Sequence, residues 1–585
     1  VEELLAAVDW DPRVHWRDEA ARDGGRPTIG FPMAMPGKRR LGGIEDRLRQ
    51  ALKHAVTDEE DYQHKVVLAK VLFHSGDYAR CRAAIESLPT TIGAPSSLSP
   101  AYARQLYMAQ MVMRGLTLEA DGDLAAARAA YETAIGEFRG DLSPQAAVVI
   151  PRGAEAGAGA SAGAGAGASE ELVNWPEEAL YRRAMLALAL GDRRGGQSEL
   201  ESYICLMDSV IPATFRAFRR LRANRLHMEL VRQDIAAAGV SRELKNRLMA
   251  GHRRQIALLR ALYTFPKASE THAEVLSEVD CAAADWELVG AHSPADSLRL
   301  IEILYEAVHL TYNSPRVLRP LMHALVRFGD YHEARLALGT YRVLADRQLE
   351  GVRKAIDAAV REGARGGSLG GGGGSSSGES IADMLRTAAA GARLLLVHLG
   401  DAPECLALVH FASSLIDDMA ARDPEHVAVP AVPAAVKAQL ALWKGAAHGL
   451  LAQKSRDPGN RADHHAAALQ LLRHAAELIP GAYDAHYYLA LEQALGARDI
   501  AAATASAKQA AGLDPRRVEA WHLLALLSTA QKDYSKALQI CDVGMKQSEW
   551  WAVYHEIEQG APDLDQRPEP AAAEASAAAS TAGST

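Results

Sequence analysis

A run of basic residues is the strongest chemical signal in this 585-residue sequence. Thirteen Lys and Arg but only three Asp and Glu lie between Ala213 and Lys267, which gives the segment a net charge of +10. Such a basic helical segment can hold an anionic lipid surface or an acidic partner. We expect the contact at its start, at Arg216, Arg219, Arg220, Arg222 and Arg225. The alternative is a set of helix faces that acidic neighbours neutralise.

Nucleic acid is a poorer ligand for these arginines. The whole chain carries a net charge of -9, from 64 Lys and Arg against 73 Asp and Glu, and only 6% of its residues are aromatic. Binding to single strands usually combines basic side chains with aromatic side chains on which bases stack. The basic segment lacks that interleaving, so we expect no nucleic-acid partner.

Catalytic and metal-binding patterns are weak. Residues 157–159 (GAG) follow an apolar run, but Pro151 intervenes and the glycines continue as a simple Gly-Ala alternation, which favours a flexible insertion over a phosphate loop. His464, His465 and His474 could share a helix face, yet no acidic or Cys ligand completes a site nearby. The five cysteines show no ligand spacing. We therefore expect no enzyme activity, no metal and no cofactor.

The elements that carry these residues are predicted to be helices. Most of the chain repeats apolar residues every three or four positions, and the alternation typical of strands is almost absent. No apolar run approaches the roughly 20 residues of a membrane span. Two Gly-rich stretches and a Pro/Ala/Ser-rich end interrupt the helices. The predicted organisation is an N-terminal segment (1–43), N-terminal repeats (44–152), a Gly/Ala linker (153–169), middle repeats (170–365), a Gly/Ser linker (366–379), C-terminal repeats (380–550) and a disordered tail (551–585).

A period of about 34 residues orders the C-terminal helices. Trp521, Leu524, Ala525, Ala537, Cys541 and Gly544 outline one helix–turn–helix unit. The same pattern recurs 34 or 35 residues earlier at His486, Leu489, Ala490, Ala503, Ala510 and Pro515, and earlier still at Ala468, Leu472, Ala475 and Pro480. A large residue and then Leu-small on the first helix, with small residues on the second, is the tetratricopeptide signature.

The turn between the two helices of a unit recurs along the chain. It reads Gly-Asp at residues 76–77, 122–123, 191–192, 329–330 and 400–401. Glycine supplies a left-handed helix stop, and aspartate caps the helix that follows. Together with the period, these turns predict an all-α fold: a tetratricopeptide-type α-α superhelix, or solenoid, with flexible Gly-rich insertions.

Three stretches carry a resemblance to a known family. Residues 521–542 (WHLLALLSTAQKDYSKALQICD), 487–495 (YYLALEQAL) and 62–73 (YQHKVVLAKVLF) resemble the fungal Ypp-type cargo-transport proteins and their animal relatives, the tetratricopeptide repeat protein seven family. The resemblance spans most of residues 41–545, and its most distinctive part is the C-terminal 60 residues.

The resemblance implies a non-enzymatic scaffold of the plasma-membrane phosphatidylinositol 4-kinase complex. The implied partners are the kinase and an Efr-type membrane anchor protein, with a role in endocytosis and cargo transport. It implies a cytoplasmic protein that lies peripherally at the inner plasma membrane, where the five arginines would make their anionic contact. The alternative is a general tetratricopeptide adaptor that binds peptides during protein assembly or trafficking.

Overall fold

The computed structural model describes residues 38–74, 77–88, 100–141, 166–210, 216–267, 272–290, 293–311, 314–361, 379–422 and 434–547. These residues form twenty-one α-helices and one five-residue π-helical segment, and they contain no β-strand. The prediction of an all-α chain is confirmed. None of the helices described is long and apolar enough to cross a membrane.

The described chain divides into two compact units. Unit 1 comprises Val1–His292 and Arg299–Asn313, and unit 2 comprises Ser293–Leu298 and Ser314–Thr585. Helix α11 (Pro294–Val308) contributes residues to both units. The helices of unit 1 are α1 (Lys38–Lys53), α2 (Asp58–His74), α3 (Tyr78–Glu86), α4 (Pro100–Ala120), α5 (Leu124–Asp141), α6 (Ala166–Ala189), α7 (Arg193–Val210), α8 (Ala217–Ala238), α9 (Arg242–Leu262) and α10 (Ala273–Leu288).

Unit 2 contains ten further helices and the π-helical segment Leu394–His398. The helices are α12 (Pro315–Phe328), α13 (Tyr331–Arg361), α14 (Ile381–Arg393), α15 (Ala402–Arg422), α16 (Ala434–Lys454), α17 (Pro458–Leu478), α18 (Tyr483–Leu495), α19 (Ile500–Leu513), α20 (Val518–Ala530) and α21 (Tyr534–Gln547).

The predicted seven-part organisation stays a prediction. Most of the N-terminal segment (1–43), most of both linkers (153–169 and 366–379) and the tail (551–585) lie outside the described residues. Helix α1 begins at Lys38 and α6 at Ala166, so each starts a few residues inside a segment that the sequence assigned to a terminus or a linker.

Consecutive helices pack as hairpins, and each hairpin packs on the next. In unit 1, α4 pairs with α5, α6 with α7 and α8 with α9; in unit 2, α16 pairs with α17, α18 with α19 and α20 with α21. The first helix of a hairpin also contacts the first helix of the next one, as α4 does with α6, α16 with α18 and α18 with α20. This neighbour-to-neighbour packing is the arrangement of a tetratricopeptide-type solenoid.

The predicted Gly-Asp turns adopt the expected geometry. Four of the glycines are left-handed, with φ of 85°, 82°, 101° and 63° at Gly122, Gly191, Gly329 and Gly400. The aspartate that follows each of them accepts a hydrogen bond from the backbone N–H three residues on, as Asp330 does from Glu333 at 3.0 Å. Each pair therefore ends one helix and begins the next.

The repeat positions are buried where the period predicted small residues. Ala468, Leu472, Ala475, Ala503 and Ala510 are all 0–1% exposed. At the last hairpin, a Cβ atom on Gly544 would lie 2.7 Å from the Cβ of Trp521, so only glycine lets α21 cross α20 at this distance. Cys541 differs from the prediction, because it is exposed on α21, the last helix described.

The same hydrogen bond occurs at equivalent positions of two adjacent repeats. The indole N–H of Trp521 donates to the carbonyl of Pro515 at 2.8 Å. The ring nitrogen Nε2 of His486 lies 2.9 Å from the carbonyl of Pro480, in the same relation 35 residues earlier. In these two hairpins the bond ties the first helix, α18 or α20, to the proline before it, which fixes the entry of the chain into that helix.

Two turns of unit 2 place a non-glycine residue in the left-handed region, namely Arg498 with φ of 55° and Lys532 with φ of 62°. Replacing either by glycine should stabilise α18–α21 by about 0.5–1 kcal/mol, because a left-handed residue with a Cβ costs about 1–2 kcal/mol and the freedom of glycine in the unfolded chain offsets part of it. Native-state hydrogen exchange measures this change. The matched control is Gly329→Ala, which should shift stability the other way, and slower exchange in that variant would contradict the assignment.

Candidate functional site

The basic segment proposed as an anionic contact surface is largely neutralised within the protein. Its first three arginines, Arg216, Arg219 and Arg220, bury their side chains, with at most 6% exposed. Arg222 and Arg225 are exposed on α8. The predicted contact with an anionic surface therefore stays a prediction, and only these two of the five arginines present their side chains at the surface.

Two adjacent carboxylates of α6 hold the buried arginines. Arg219 Nη1 lies 2.5 Å from Glu178 Oε2 and 3.2 Å from Glu177 Oε2, and its guanidinium stacks 4.7 Å from the ring centre of Tyr181. Arg216 contacts both carboxylates as well, with its Nη1 atom 2.8 Å from Glu178 Oε2. These contacts link the start of α8 to α6, the first helix of the preceding hairpin.

The same network reaches α4 through Arg182. Its Nε donates to Glu178 at 2.9 Å, and its Nη1 donates to Glu119 at 3.1 Å. Burial alone would raise the pKa of Glu178, but Arg219, Arg182 and Arg216 outweigh burial and hold that pKa well below its ordinary value.

Two tyrosine hydroxyls complete this buried network. Tyr131 of α5 donates to Glu119, and Tyr203 of α7 donates to Glu177, each at 2.8 Å. Three carboxylates and three guanidinium groups then balance in charge across α4–α8. Because this balance is internal, these groups have a structural role: they fix how successive hairpins pack.

Most other basic residues of the segment have acidic partners from elsewhere in unit 1. Arg220 and Arg254 both contact Asp208, and Arg232 contacts Asp285. At least eight of the thirteen basic residues form ion pairs in this way, namely Arg216, Arg219, Arg220, Arg232, Arg247, Arg253, Arg254 and Arg260. This is the arrangement of the alternative considered from sequence, in which acidic neighbours neutralise the helix faces.

A buried histidine forms a second ionic centre in unit 1. His252 of α9 is fully buried; its Nδ1 lies 2.6 Å from Glu278 Oε1 and its Nε2 lies 2.7 Å from Asp285 Oδ2, both on α10. Asp285 also accepts from Arg232 of α8. Both ring nitrogens face carboxylate oxygens, an arrangement that favours the doubly protonated imidazolium. Burial alone would lower the pKa of His252, but its hydrogen bonds to Asp285 and Glu278 outweigh burial and raise it.

The histidines of α17 acquire partners that their sequence neighbourhood does not contain. His465 bonds to Glu492 of α18, and His464 Nδ1 lies 3.0 Å from His448 Nδ1 of α16, whereas His474 is exposed. Glu492 comes from the following hairpin, so the sequence around these histidines does not show this partner. Among the described residues, however, no group of three or more His, Cys, Asp or Glu side chains could hold a metal ion.

In unit 2, a row of aromatic side chains crosses α16 and α18, the first helices of two successive hairpins. The ring of Trp443 of α16 lies 6.0 Å from that of Tyr488, which is followed at 5.4 Å by Tyr487 and at 5.8 Å by Tyr483, all three on α18. The guanidinium of Arg517 lies 3.8 Å from the ring centre of Tyr483. This row connects three successive hairpins and stiffens the side of unit 2 on which it lies.

Equivalent positions of α18 and α20 bring apolar side chains toward solvent on one side. Tyr487 and Leu491 are half-buried on α18, while His522 and Leu526 are exposed 35 residues later on α20, Leu526 to 54%. Each pair is spaced by four residues and so shares a helix face. Because α18 and α20 are equivalent helices in contact, the two pairs line the same side. We call these four residues the first-helix surface.

The sequence period could have found this surface. It marked His486 and Trp521, and the first-helix surface begins one residue after each. What the period alone did not indicate is which side of each helix its neighbours leave uncovered.

Comparison with known proteins gives structural neighbours alone. No family model and no curated protein matches the sequence. Among solved structures, residues 41 to the end of MamA from Desulfovibrio magneticus RS-1 are 15% identical, cover 43% of this chain and 97% of their own, and have a TM-score of 0.23.

Two further solved structures are similar in the same range. The TPR2AB domain of yeast Sti1, in complex with pHSP90, is 15% identical, with coverage of 48% and 96% and a TM-score of 0.19. The TPR domain of P58(IPK) is 14% identical, with coverage of 78% and 99% and a TM-score of 0.19. The assignment of this chain to the tetratricopeptide-type solenoids accordingly rests on its own helix pairing, turns and repeat packing.

Removing one partner of the α4–α8 network should destabilise unit 1. We expect Arg219→Ala to cost about 3–5 kcal/mol, because the buried network then holds three carboxylates against two guanidinium groups and one negative charge is uncompensated. Arg225→Ala, on the same helix but exposed, is the matched control and should change stability by less than about 0.5 kcal/mol. Pulsed hydrogen exchange of α6–α8 at increasing urea concentrations measures both, and equal effects would contradict the structural role of the network.

The stability of unit 1 should depend on pH through His252. Because the pKa of His252 is raised in the folded state, protonated His252 stabilises unit 1 fully below the unfolded-state pKa of about 6.5. This stabilisation is lost as pH rises through the folded-state pKa. His227 of α8 makes unit 1 less stable at acid pH. Burial, and then the positive charge of Arg254, lower the pKa of His227 to about 4, so stability falls as pH drops from about 6.5 toward 4. Urea midpoints of α8–α10 should peak near pH 6.5. His252→Gln should flatten the alkaline side alone, and an unchanged alkaline side would contradict this assignment.

Proposed function

We propose that the chain is a scaffold that binds a partner protein on the first-helix surface of unit 2. The observation that carries this proposal is the repetition of apolar and aromatic side chains at Tyr487, Leu491, His522 and Leu526 on equivalent helices in contact. A solenoid presents such equivalent positions side by side, which suits it to hold an extended partner segment.

The chemistry of this surface favours a partner segment with apolar anchors. Leu526 is 54% exposed and offers a site for an aliphatic or aromatic side chain. Tyr487 and His522 add ring faces and polar atoms at the same repeat position. Interface energy usually concentrates in a few such anchors. The aromatic row that includes Tyr487 holds this side rigid, so little ordering is required when the partner binds.

At a finer level, we propose that the partners are a phosphatidylinositol 4-kinase and an Efr-type membrane anchor protein. This step is supported by the resemblance of residues 487–495 and 521–542 to the Ypp-type and tetratricopeptide repeat protein seven families. Those two stretches contain all four residues of the first-helix surface. The protein would then act in the cytoplasm, peripherally at the inner plasma membrane, with a role in endocytosis and cargo transport.

The contribution of such a scaffold to kinase activity is one of concentration. No covalent step is assigned to this chain. Holding the kinase beside a membrane-anchored protein makes its encounter with lipid intramolecular, and short links give effective concentrations near millimolar. Arg222 and Arg225 of α8 are the exposed candidates for an additional contact with anionic lipid.

The first-helix surface is tested by Leu526→Asp in the full chain. Placing a charge among apolar anchors should weaken binding of the purified kinase–anchor assembly at least about tenfold, which corresponds to about 1.4 kcal/mol. The matched control is Leu478→Asp, because Leu478 is 43% exposed at the end of α17, outside this surface. Affinity is measured by biolayer interferometry on the immobilised chain.

Two outcomes would count against the proposal. If Leu526→Asp and Leu478→Asp bind the assembly equally well, the first-helix surface is not the contact. If the unmodified chain binds neither the kinase nor the anchor but binds peptides of diverse sequence, the general adaptor replaces the kinase scaffold.

A further inference from the structure

Two histidine side chains meet between the helices of the hairpin α16–α17. His448 of α16 and His464 of α17 have their Nδ1 atoms 3.0 Å apart, and their ring centres lie 5.2 Å apart. Both side chains are half-buried. A hydrogen bond between two imidazole nitrogens needs a proton on one nitrogen and a lone pair on the other. One Nδ1 therefore donates and the other accepts.

This contact tolerates one added proton but not two. The donating ring can take a proton on Nε2 and become an imidazolium that still donates through Nδ1. A second proton has to occupy the accepting Nδ1, so that two positively charged N–H groups face each other. The pair therefore holds while one ring is neutral and separates when both are charged.

The surroundings of His448 oppose its protonation. Burial is the largest cause that lowers the pKa of His448, followed by the positive charges of His464, Lys444 and His410. His464 approaches from α17, His410 from α15, and Lys444 from one turn earlier on α16. Because the pKa is lowered in the folded state, the neutral ring stabilises the hairpin fully above the unfolded-state pKa of about 6.5. This stabilisation is lost as pH falls through the folded-state pKa.

The other elements that pack on α16 are α14, α18 and the π-helical segment. Among the described residues, none of the three adds a charge that shifts the pKa of His448. Glu492 of α18 approaches α16 at Gly449, where an added Cβ atom would lie 2.8 Å from its Oε2, but its Oε1 is bonded to His465 of α17. Helix α17 is thus tied to α16 by one histidine and to α18 by the next.

We propose that the His448–His464 pair is a pH-sensitive latch, which holds α17 on α16 at neutral pH and releases it in acid. Release also loosens the helix whose His465 holds Glu492. Because each hairpin of a solenoid is stabilised only by its neighbours, this weakens the coupling of α18–α21 to the rest of unit 2. The latch goes beyond the proposed scaffold function and does not depend on which partner unit 2 binds.

Hydrogen exchange of the full chain tests the latch, with exchange times scaled to the intrinsic rate at each pH. Lowering the pH from about 7.5 to about 5.5 should reduce the protection of α16 and α17 about tenfold, because the lower pH lies about one unit below the unfolded-state pKa. His448→Gln keeps a neutral donor and acceptor opposite His464, so its loss should be less than about threefold. His474→Gln, at an exposed position of α17, is the matched control and should behave like the unmodified chain.

Two further variants complete the test. His448→Lys places a permanent charge opposite His464 and should lower the protection of α16 and α17 already at neutral pH. His464→Gln removes the same pair from the other helix, and it takes the place of His448→Gln if that variant does not fold. The proposal is overturned if the unmodified chain and the glutamine variant lose equal protection in acid. It is also overturned if His448→Lys is protected as well as the glutamine variant at neutral pH, since the hairpin then tolerates the charge.

Discussion

Close approach between helices at alanine and glycine is the constraint on which both units depend. A Cβ atom on Gly445 would lie 2.8 Å from Leu472 in unit 2, and one on Gly251 would lie 2.6 Å from Met228 in unit 1. A solenoid has no central core, so each hairpin buries its apolar surface only on its immediate neighbours. The helix–helix distance therefore decides how much surface each repeat removes from water. This also explains a chain that is 48% apolar but only 6% aromatic.

The two units add different contacts to this common packing. Unit 1 places carboxylates and guanidinium groups between its hairpins, as with Glu178 and Arg219, and sets His252 between two acids. Unit 2 relies on alanine, leucine and an aromatic row from Trp443 to Tyr483. Buried ion pairs lose much of their Coulomb gain to desolvation, so they are weak evidence for stability. Their effect in unit 1 is to select one packing of the hairpins, because every carboxylate must meet its own partner.

Local features of the fold were predictable from the sequence, and long-range pairings were not. Glycine and aspartate act within a single turn, so Gly329 and Asp330 adopt the expected geometry. The 34-residue period likewise located the buried Ala468 and Leu472. Charge was harder to interpret, because the net charge of +10 counts only the residues of the basic segment and omits the acidic residues that pack against it. Glu177 lies 39 residues before Arg216 and Glu492 lies 27 residues after His465. Which side of a helix meets its neighbour depends on packing that no local pattern specifies.

The α4–α8 network has a consequence for how this protein can change over evolutionary time. Repeat proteins commonly gain and lose units by duplication or deletion, because equivalent hairpins can replace one another. The hairpin α18–α19 depends less on charged groups, because alanine, leucine and the aromatic row supply most of its contacts and His465–Glu492 and Arg517–Asp484 are separate pairs rather than one network. The hairpins of unit 1 cannot replace one another in this way, since excising α6–α7 would remove Glu177, Glu178 and Arg182 and leave Arg216, Arg219 and Glu119 without these partners. Gains and losses of repeats should therefore accumulate in unit 2, while the order of hairpins in unit 1 stays fixed.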